Sequence, residues 1–339
     1  MSLCKNAGDA RCFFPRHLRQ LGAGQFKDLL GRTPHPGEWT CLKKKEDTMK
    51  KQQELRKLIS REGVTIVPGV YDCVSAKIVE KLGFEVAFIS GYSLEASVLG
   101  NPDIGLATKT DVVTHARYIA RSVEIPIICD ADTGYGNAIN VWETVRELEN
   151  TGLAGIELED QVVPKKCGYM RDRKVVSIEE MVGKIEAAKN ARRDEDFLII
   201  ARSDACGAEG VDEAIKRYDA YFEAGADMGV IAESYTIEDL KKAAKAIRGP
   251  LGVAGGIPGR PETLLSPEEY SEMGIKMVIF GLSALYAASR AVMEVYGSLK
   301  QTGRMSSSVM RSKLLGFDEF NDLIGLPCWL EIQKKYLRP

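Results

Sequence analysis

The sequence predicts an α/β protein folded as a (β/α)8 barrel, the TIM-barrel architecture. From Val64 onward, short β-branched runs alternate with longer stretches of 3.6-residue periodicity, a pattern typical of βα units and a parallel sheet. Eight strands can be counted, each followed by a helix, and eight such units close naturally as a barrel. An open doubly wound sheet is the alternative, but no GxGxxG follows the first strand, which continues as VPGVYDCVSAK.

The elements follow one another regularly along the chain. The predicted strands are 64–70, 85–91, 125–132, 155–160, 197–204, 228–234, 251–257 and 276–281. The clearest helices are 50–63, before the first strand, and then 138–152, 177–192, 211–225, 236–248 and 283–303. Several open on Asp, Ser or Thr and close on Gly, as helix caps prefer. Two further amphipathic helices are predicted at the C-terminal end, within 307–317 and 320–337.

The first 48 residues differ from the rest in composition. They hold nine Lys/Arg against five Asp/Glu, a net charge of +4, so the remainder of a chain with net charge −2 carries −6. We predict a disordered or weakly docked extension over 1–48, with an organelle-targeting segment as the alternative. Residues 49–339 are expected to form one barrel domain with a helical appendage from about 304 to 339.

Charge, cysteine usage and hydropathy exclude several classes of protein. The near balance of 46 Lys/Arg and 48 Asp/Glu argues against nucleic acid or an anionic membrane as the main partner. The eight cysteines show no paired spacing, which indicates free thiols and a reducing, cytoplasmic location. The longest weakly charged apolar stretch, 86–100, contains Glu95 and is too short to span a bilayer.

Acidic residues end two neighbouring predicted strands and suggest a metal site. Asp130 and Asp132 are two apart on one predicted strand and therefore point the same way, beside Glu159 on the next strand. In barrels the reacting groups gather at this end of the strands. Three carboxylates favour a hard ion, Mg²⁺ or Mn²⁺, over Zn²⁺. The alternative is that they pair with Arg202 and nearby lysines in a network that only closes the barrel top.

A cysteine is the best candidate for proton transfer. Within the predicted barrel the only histidine is His115, in a helix, which makes a Ser/His/Asp triad improbable. Cys167 lies in a segment of sixteen residues, 161–176, far longer than the usual βα connection, which suggests a lid. Lys165 and Lys166 precede this thiol, and cationic neighbours favour its ionisation.

Several runs of sequence resemble one enzyme family. They are SGYSLEASVLGNPDIG (90–105), DADTGYGNA (130–138), LEDQVVPKKCG (158–168), SIEEMVGKIEAA (177–188) and ARSDA (201–205). Together they resemble the isocitrate lyase/phosphoenolpyruvate mutase superfamily over essentially all of 50–339. The resemblance is closest to its short enzymes: 2-methylisocitrate lyase, dimethylmalate lyase, oxaloacetate hydrolase of the petal death protein kind, and carboxyphosphoenolpyruvate phosphonomutase.

The resemblance implies a Mg²⁺-dependent barrel that binds a 2-hydroxy or 2-oxo acid. It implies that Asp130 and Asp132 hold the ion with support from Glu159, and that Cys167 protonates an enolate while Arg202 neutralises developing charge. The remaining implied substrate-binding residues are Ser90, Gly91, Tyr92, Asp103, Gly168 and Glu233.

The expected function is therefore a Mg²⁺-dependent carbon–carbon lyase that cleaves an alkylmalate or methylisocitrate-like acid to a 2-oxo acid and a carboxylic acid. Oxaloacetate hydrolysis, phosphonomutase chemistry and a non-catalytic binder are the alternatives. Two residues depart from the family pattern: Tyr169 replaces His, and Gly255 replaces Asn. These changes predict a substrate unlike those of the relatives, or a low activity. The extra helices and the resemblance predict a homo-oligomer, a tetramer.

Overall fold

The computed structural model describes residues 49–231, 236–256 and 265–337, without the side chains of 310 and 311. The predictions for residues 1–48 and for Glu233 lie outside the described residues. The contacts divide the chain into two compact units, of which one runs from Glu46 to Ile324 and the other includes Gly325–Pro339.

Eight parallel strands form a closed barrel in chain order, with β8 paired to β1. This confirms the predicted (β/α)8 fold. The strands are β1 Thr65–Val70, β2 Ala87–Ile89, β3 Ile127–Asp130, β4 Gly155–Glu159, β5 Leu198–Ser203, β6 Met228–Ile231, β7 Leu251–Ala254 and β8 Ile275–Phe280. All eight lie within one residue of the predicted ranges, and several are shorter because the polar residues at their carboxyl ends leave the ladder.

Helices surround the barrel and follow its strands. In the described chain they are α1 Lys51–Ser60, α2 Cys73–Lys81, α3 Gly91–Leu99, α4 Lys109–Ser122, α5 Ala138–Glu149, α6 Ile178–Ala191, α7 Ala205–Glu209, α8 Val211–Ala224, α9 Ile237–Ala246, α10 Pro267–Glu272 and α11 Ser283–Thr302. Several have side-chain caps at their first turn; Ser177, for example, accepts a hydrogen bond from the Glu180 N–H at the start of α6.

Two apolar clusters make the core. The larger lies between the sheet and the surrounding helices. The smaller fills the barrel with inward-facing residues such as Phe88, Ile200 and Met277, and α1 adds Leu55 and Leu58 to it. Because α1 also bonds the carbonyl of Val123 through Lys51, just before β3, it closes the amino-terminal end of the barrel. The candidate site lies at the other end of the barrel, where the strands have their carboxyl-terminal ends.

The C-terminal helices differ from the prediction. Three follow α11 where two were expected: α12 Ser307–Lys313, α13 Phe317–Leu323 and α14 Leu326–Tyr336. The predicted helix 320–337 is divided at Gly325, whose φ of +84° belongs to the left-handed region that glycine adopts readily.

The cysteine prediction is confirmed in part. Cys73, Cys129, Cys167 and Cys206 are free thiols, whereas Cys328 is disulfide-bonded and contradicts the expectation for that residue. Within the described ranges, none of the helices has the length and hydropathy that crossing a bilayer requires.

Candidate active site

A cavity opens at the carboxyl-terminal end of the strands. Polar groups from several strand ends meet in it, and the loop after β4 contributes Cys167, Gly168 and Tyr169. Of the residues predicted for the site, those lining this cavity are Ser90, Tyr92, Asp103, Asp130, Cys167, Gly168 and Arg202. These residues are far apart in sequence, and they meet because the carboxyl ends of the strands lie at one side of the barrel.

Asp130 and Asp132 lie close together, but not for the predicted reason. Asp130 is the last residue of β3, whereas Asp132 lies beyond the strand in a turn with φ +48°. The Asp132 N–H donates to Asp130 Oδ1 over 3.0 Å, so a turn and not strand alternation brings the two together. The prediction that both aspartates lie on one strand is wrong for Asp132.

Gly91 completes this corner of the site. Its N–H donates to Asp130 Oδ2 over 3.3 Å. A Cβ at this position would lie 2.8 Å from the same oxygen and 3.2 Å from Asp132 Oδ1, closer than side chains tolerate. Any larger residue here would force the Asp130 carboxylate to move, so glycine preserves the position of the two carboxylates. The preceding residue, Ser90, caps α3 by accepting the Ser93 N–H.

Lys165, which the sequence analysis named beside the thiol and included among the nearby lysines of the ion-pair alternative, lies at the barrel mouth. Its ammonium is 4% exposed and lies 2.6 Å from carboxylate oxygens of both Asp103 and Asp132. Burial lowers the pKa of Lys165, but Asp132, Glu159 and other nearby carboxylates raise it well above its usual range, so the ammonium stays charged. Burial raises the pKa of Asp132 to about 6 against the opposing effect of this ammonium.

Arg202 is the second buried cation. Its guanidinium lies 3.2 Å from Glu159, 3.6 Å from Glu157 and 3.0 Å from Asp204. Burial raises the pKa of Glu157 to about 8, with the Asp130 charge adding to the shift and Arg202 opposing it. Glu157 lines the cavity and was missed, because it precedes the strand end where candidates were sought.

The donor set fits a hard divalent cation bound partly through substrate oxygens. Glu159 Oε1 is a buried carboxylate oxygen that accepts no hydrogen bond, whereas Asp132 Oδ1 and Glu159 Oε2 face the Lys165 ammonium and the Arg202 guanidinium. Over the residues that the structure describes, no three acidic, thiol or imidazole groups converge closely enough to hold an ion by themselves. Mg²⁺ usually takes one or two carboxylates together with water and substrate oxygens, and Asp130 at the cavity wall suits that role.

Cys167 faces the cavity from the loop and is 8% exposed. Its N–H donates to the Asp103 carbonyl over 3.0 Å, which ties the loop to the preceding polar segment. Burial raises the pKa of the Cys167 thiol to about 11. Lys165 does favour ionisation of this thiol, as expected, but burial raises the pKa by more than the lysine lowers it. The thiol is protonated at neutral pH.

The two departures from the family pattern lie at the same cavity. Tyr169 and Gly255 both line it. A Cβ at Gly255 would come within 2.8 Å of a Val278 methyl group, so this wall has no room for a larger side chain without repacking. On another side, the Tyr92 ring packs edge-on against Tyr286, with ring centroids 6.1 Å apart.

Comparison with known proteins agrees with this geometry. Residues 55–300 match the model of the phosphoenolpyruvate phosphomutase family. The chain is 41% identical over 283 residues to the 2,3-dimethylmalate lyase of Eubacterium barkeri, covering 84% of this chain and 97% of that enzyme. The chain belongs to the PEP mutase/isocitrate lyase superfamily.

Solved structures of this superfamily support the same assignment. An oxaloacetate acetylhydrolase in complex with 3,3-difluorooxalacetate superposes with a TM-score of 0.80 at 32% identity, covering 86% of this chain and 98% of that one. A phosphonopyruvate hydrolase in complex with oxalate and Mg²⁺ superposes with a TM-score of 0.78 at 32% identity, covering 86% and 100%. The protein is a superfamily lyase that acts on small acids.

Proposed function

We propose that the protein is a Mg²⁺-dependent lyase that cleaves the C2–C3 bond of a 2-hydroxy dicarboxylic acid of the alkylmalate or methylisocitrate class. The products are a 2-oxo acid and a carboxylic acid. One observation carries the proposal: a buried thiol, Cys167, lines the same cavity as Asp130 and Arg202. The similarity to a 2,3-dimethylmalate lyase supports the substrate class.

Each polar group has a part in this reaction. The C2 hydroxyl loses its proton to water or a cavity carboxylate, and its oxygen forms the carbonyl of the 2-oxo acid. The C2–C3 bond breaks at the same time, and its electron pair leaves with the departing fragment as the enolate of a carboxylic acid. The Arg202 guanidinium is positioned to offset the negative charge that develops there. The protonated Cys167 thiol then donates its proton to the enolate carbon, and a pKa of about 11 keeps that proton available at neutral pH. The proton released from the hydroxyl restores the thiol after each turnover.

The proposed metal residues are Asp130 and Asp132, with Glu159 in support. Asp130 lies at the cavity wall, while Asp132 and Glu159 lie behind it against Lys165 and Arg202. A bound Mg²⁺ would supply Lewis-acid stabilisation of the substrate's C2 oxygen and carboxylate. Ser90, Gly91 and Tyr92 remain the proposed contacts of the substrate carboxylate, with Asp103 and Gly168 beside them.

The test is a substrate panel assayed for 2-oxo acid release. Purified protein with Mg²⁺ should form pyruvate from 2-methylmalates such as 2,3-dimethylmalate and the homologous 2-oxo acid from longer 2-alkylmalates, and chelation of the metal should abolish both reactions. Substrate-dependent thermal stabilisation without any product would contradict a lyase and indicate a binder. Unmodified malate belongs in the panel as the matched substrate without an alkyl group.

Oxaloacetate hydrolysis is the second candidate, and the superposition on an oxaloacetate acetylhydrolase favours including it. Oxalate and acetate released from oxaloacetate, with no turnover of any alkylmalate, would replace the first proposal by this one. Phosphomutase chemistry is tested separately by the ³¹P spectrum of phosphonopyruvate, which we expect to stay unchanged over hours.

We also propose a homo-oligomer, a tetramer by family resemblance. Exposed apolar side chains on the helices after β8 and in the turn between two of them support it: Val292, Met293, Tyr296, Leu314, Leu315, Phe317 and Phe320. Sedimentation velocity would show a species near four times 37.3 kDa. The cytoplasmic location stays a prediction.

A further inference from the structure

The side chain of Gln161 pairs with the backbone of Lys166. Its Nε2 donates to the Lys166 carbonyl over 2.7 Å, and the Lys166 N–H donates to its Oε1 over 3.0 Å. Gln161 is 1% exposed, so water does not compete for these groups. The carboxamide thus uses its donor and its acceptor on the two backbone groups of a single loop residue, Lys166.

Lys166 lies between two residues that face the candidate site. Lys165, on one side, directs its ammonium to Asp103 and Asp132. Cys167, on the other side, faces the cavity and donates its N–H to the Asp103 carbonyl. Three consecutive residues are therefore held at three points, and the contact at the centre is made by Gln161.

Gln161 is itself fixed to the barrel wall. It lies two residues after the end of β4 and forms an antiparallel bridge with Val175, near the other end of the loop. The Val176 N–H donates to the Asp160 carbonyl over 2.8 Å, which closes the loop at its base. Gln161 does not line the cavity, so its effect on bound substrate must pass through the residues that it holds.

We propose that Gln161 is a positioning residue that fixes the Lys165–Cys167 run and thereby places the Cys167 thiol at the cavity. The catalytic consequence rests on the proposed lyase function, whereas the structural consequence does not. A carboxamide is required at this position. In Gln161→Glu a carboxylate oxygen, which only accepts, would face the Lys166 carbonyl, which also only accepts, so the hydrogen bond from Nε2 would be lost. Gln161→Leu leaves both backbone groups of Lys166 unpaired.

The experiment compares Gln161→Leu and Gln161→Glu with a matched control, Gln52→Leu. Gln52 also donates from Nε2 to a backbone carbonyl, that of Leu153, but at the opposite end of the barrel. Labelling of Cys167 by iodoacetamide, followed by peptide mass spectrometry, should become at least about tenfold faster in both Gln161 variants because the loop opens. The Gln52 variant should label at the wild-type rate.

Steady-state kinetics supply a readout that general destabilisation does not reproduce. If the Gln161 substitution displaces the thiol while the cavity wall stays intact, kcat should fall by about 100-fold. KM should stay within about threefold, because Gln161 does not touch the cavity. Wild-type labelling and wild-type kcat in Gln161→Leu would overturn the proposal.

Two further results keep the test decisive. If the Gln161 variants fail to fold, hydrogen exchange of the wild-type protein replaces them: slow exchange of the Lys166 amide supports the pairing, and exchange at the rate of an open loop overturns it. If wild-type protein cleaves no substrate, the lyase proposal fails, and the labelling rates alone decide the role of Gln161.

Discussion

The Lys165 ammonium lies 2.6 Å from Oδ1 of Asp132 at the barrel mouth, where both side chains are buried. The same ammonium contacts Asp103 at 2.6 Å, so one cation joins the loop after β4 to two acidic segments. Removing one partner of a buried pair leaves an uncompensated charge. The stability of this corner therefore depends on the three groups together.

Lys165→Met should lower the free energy of unfolding by about 3–5 kcal/mol in metal-free protein. Asp103→Asn in the same chain should recover part of this loss, because it removes one of the two unpaired carboxylates. Urea unfolding of the two single variants and the double variant measures the coupling, which we expect to be about 0.5–3 kcal/mol. Strictly additive effects would contradict the coupling of these residues.

Gly91→Ala should displace the Asp130 carboxylate, because the new Cβ would lie 2.8 Å from Oδ2. We expect the affinity for Mg²⁺ with oxalate to fall by about 10–100-fold, as when a metal ligand loses its support. Calorimetric titration of the protein with Mg²⁺ and oxalate measures this affinity. Gly183→Ala is the matched control: it lies within α6 with open space around the added Cβ, and it should leave binding unchanged. Equal affinities for both variants would contradict the assignment of Asp130.

The pH dependence of Cys167 alkylation should report a buried thiol. In metal-free protein the labelling rate should rise about tenfold per pH unit beyond pH 9, where an ordinary thiol of pKa about 8.5 levels off. The folded state holds this proton more tightly than the unfolded chain, since burial raises the pKa to about 11. Its contribution to stability is therefore complete below about pH 8.5 and falls as the pH rises towards 11. A rate that levels off near pH 8.5 would show an exposed thiol.

Gly255→Asn, the residue of the family pattern, should destabilise this chain by about 1–3 kcal/mol through overpacking. The cause is the Val278 methyl group, 2.8 Å from the added Cβ. Adding Val278→Ala should make the double variant more stable than the sum of the single changes, as measured by denaturant unfolding. Additivity would show that Val278 is not what excludes the side chain.

The periodicity of apolar residues was sufficient to predict the barrel, because each strand and each helix carries its own apolar pattern. The end of a strand is harder to predict. Asp132 was placed on β3, but the backbone turns after Asp130 and brings the second carboxylate back by a left-handed residue. At the C-terminal end, Gly325 interrupts a continuous amphipathic pattern, which periodicity alone reads as one helix.

Cavity-lining residues at the strand ends were predicted from topology, whereas the positions of Lys165 and Gln161, on the loop after β4, were not. Asp130 and Arg202 follow from the rule that strand ends meet at one side of a barrel. The positions of Lys165 and Gln161 depend on how residues 161–176 fold back over the cavity, which no local pattern encodes. One signal was available for Lys165: clustered buried carboxylates need a nearby cation.

The most direct test of the account is the rate of pyruvate formation from 2,3-dimethylmalate by Cys167→Ser, measured with Mg²⁺ beside Cys206→Ser as the control. A serine hydroxyl is a far weaker acid than a thiol, so proton delivery to the enolate should fail. The account predicts a loss of at least about 100-fold in kcat for Cys167→Ser and a wild-type rate for Cys206→Ser. Equal, undiminished rates for the two variants would contradict the thiol as the proton donor.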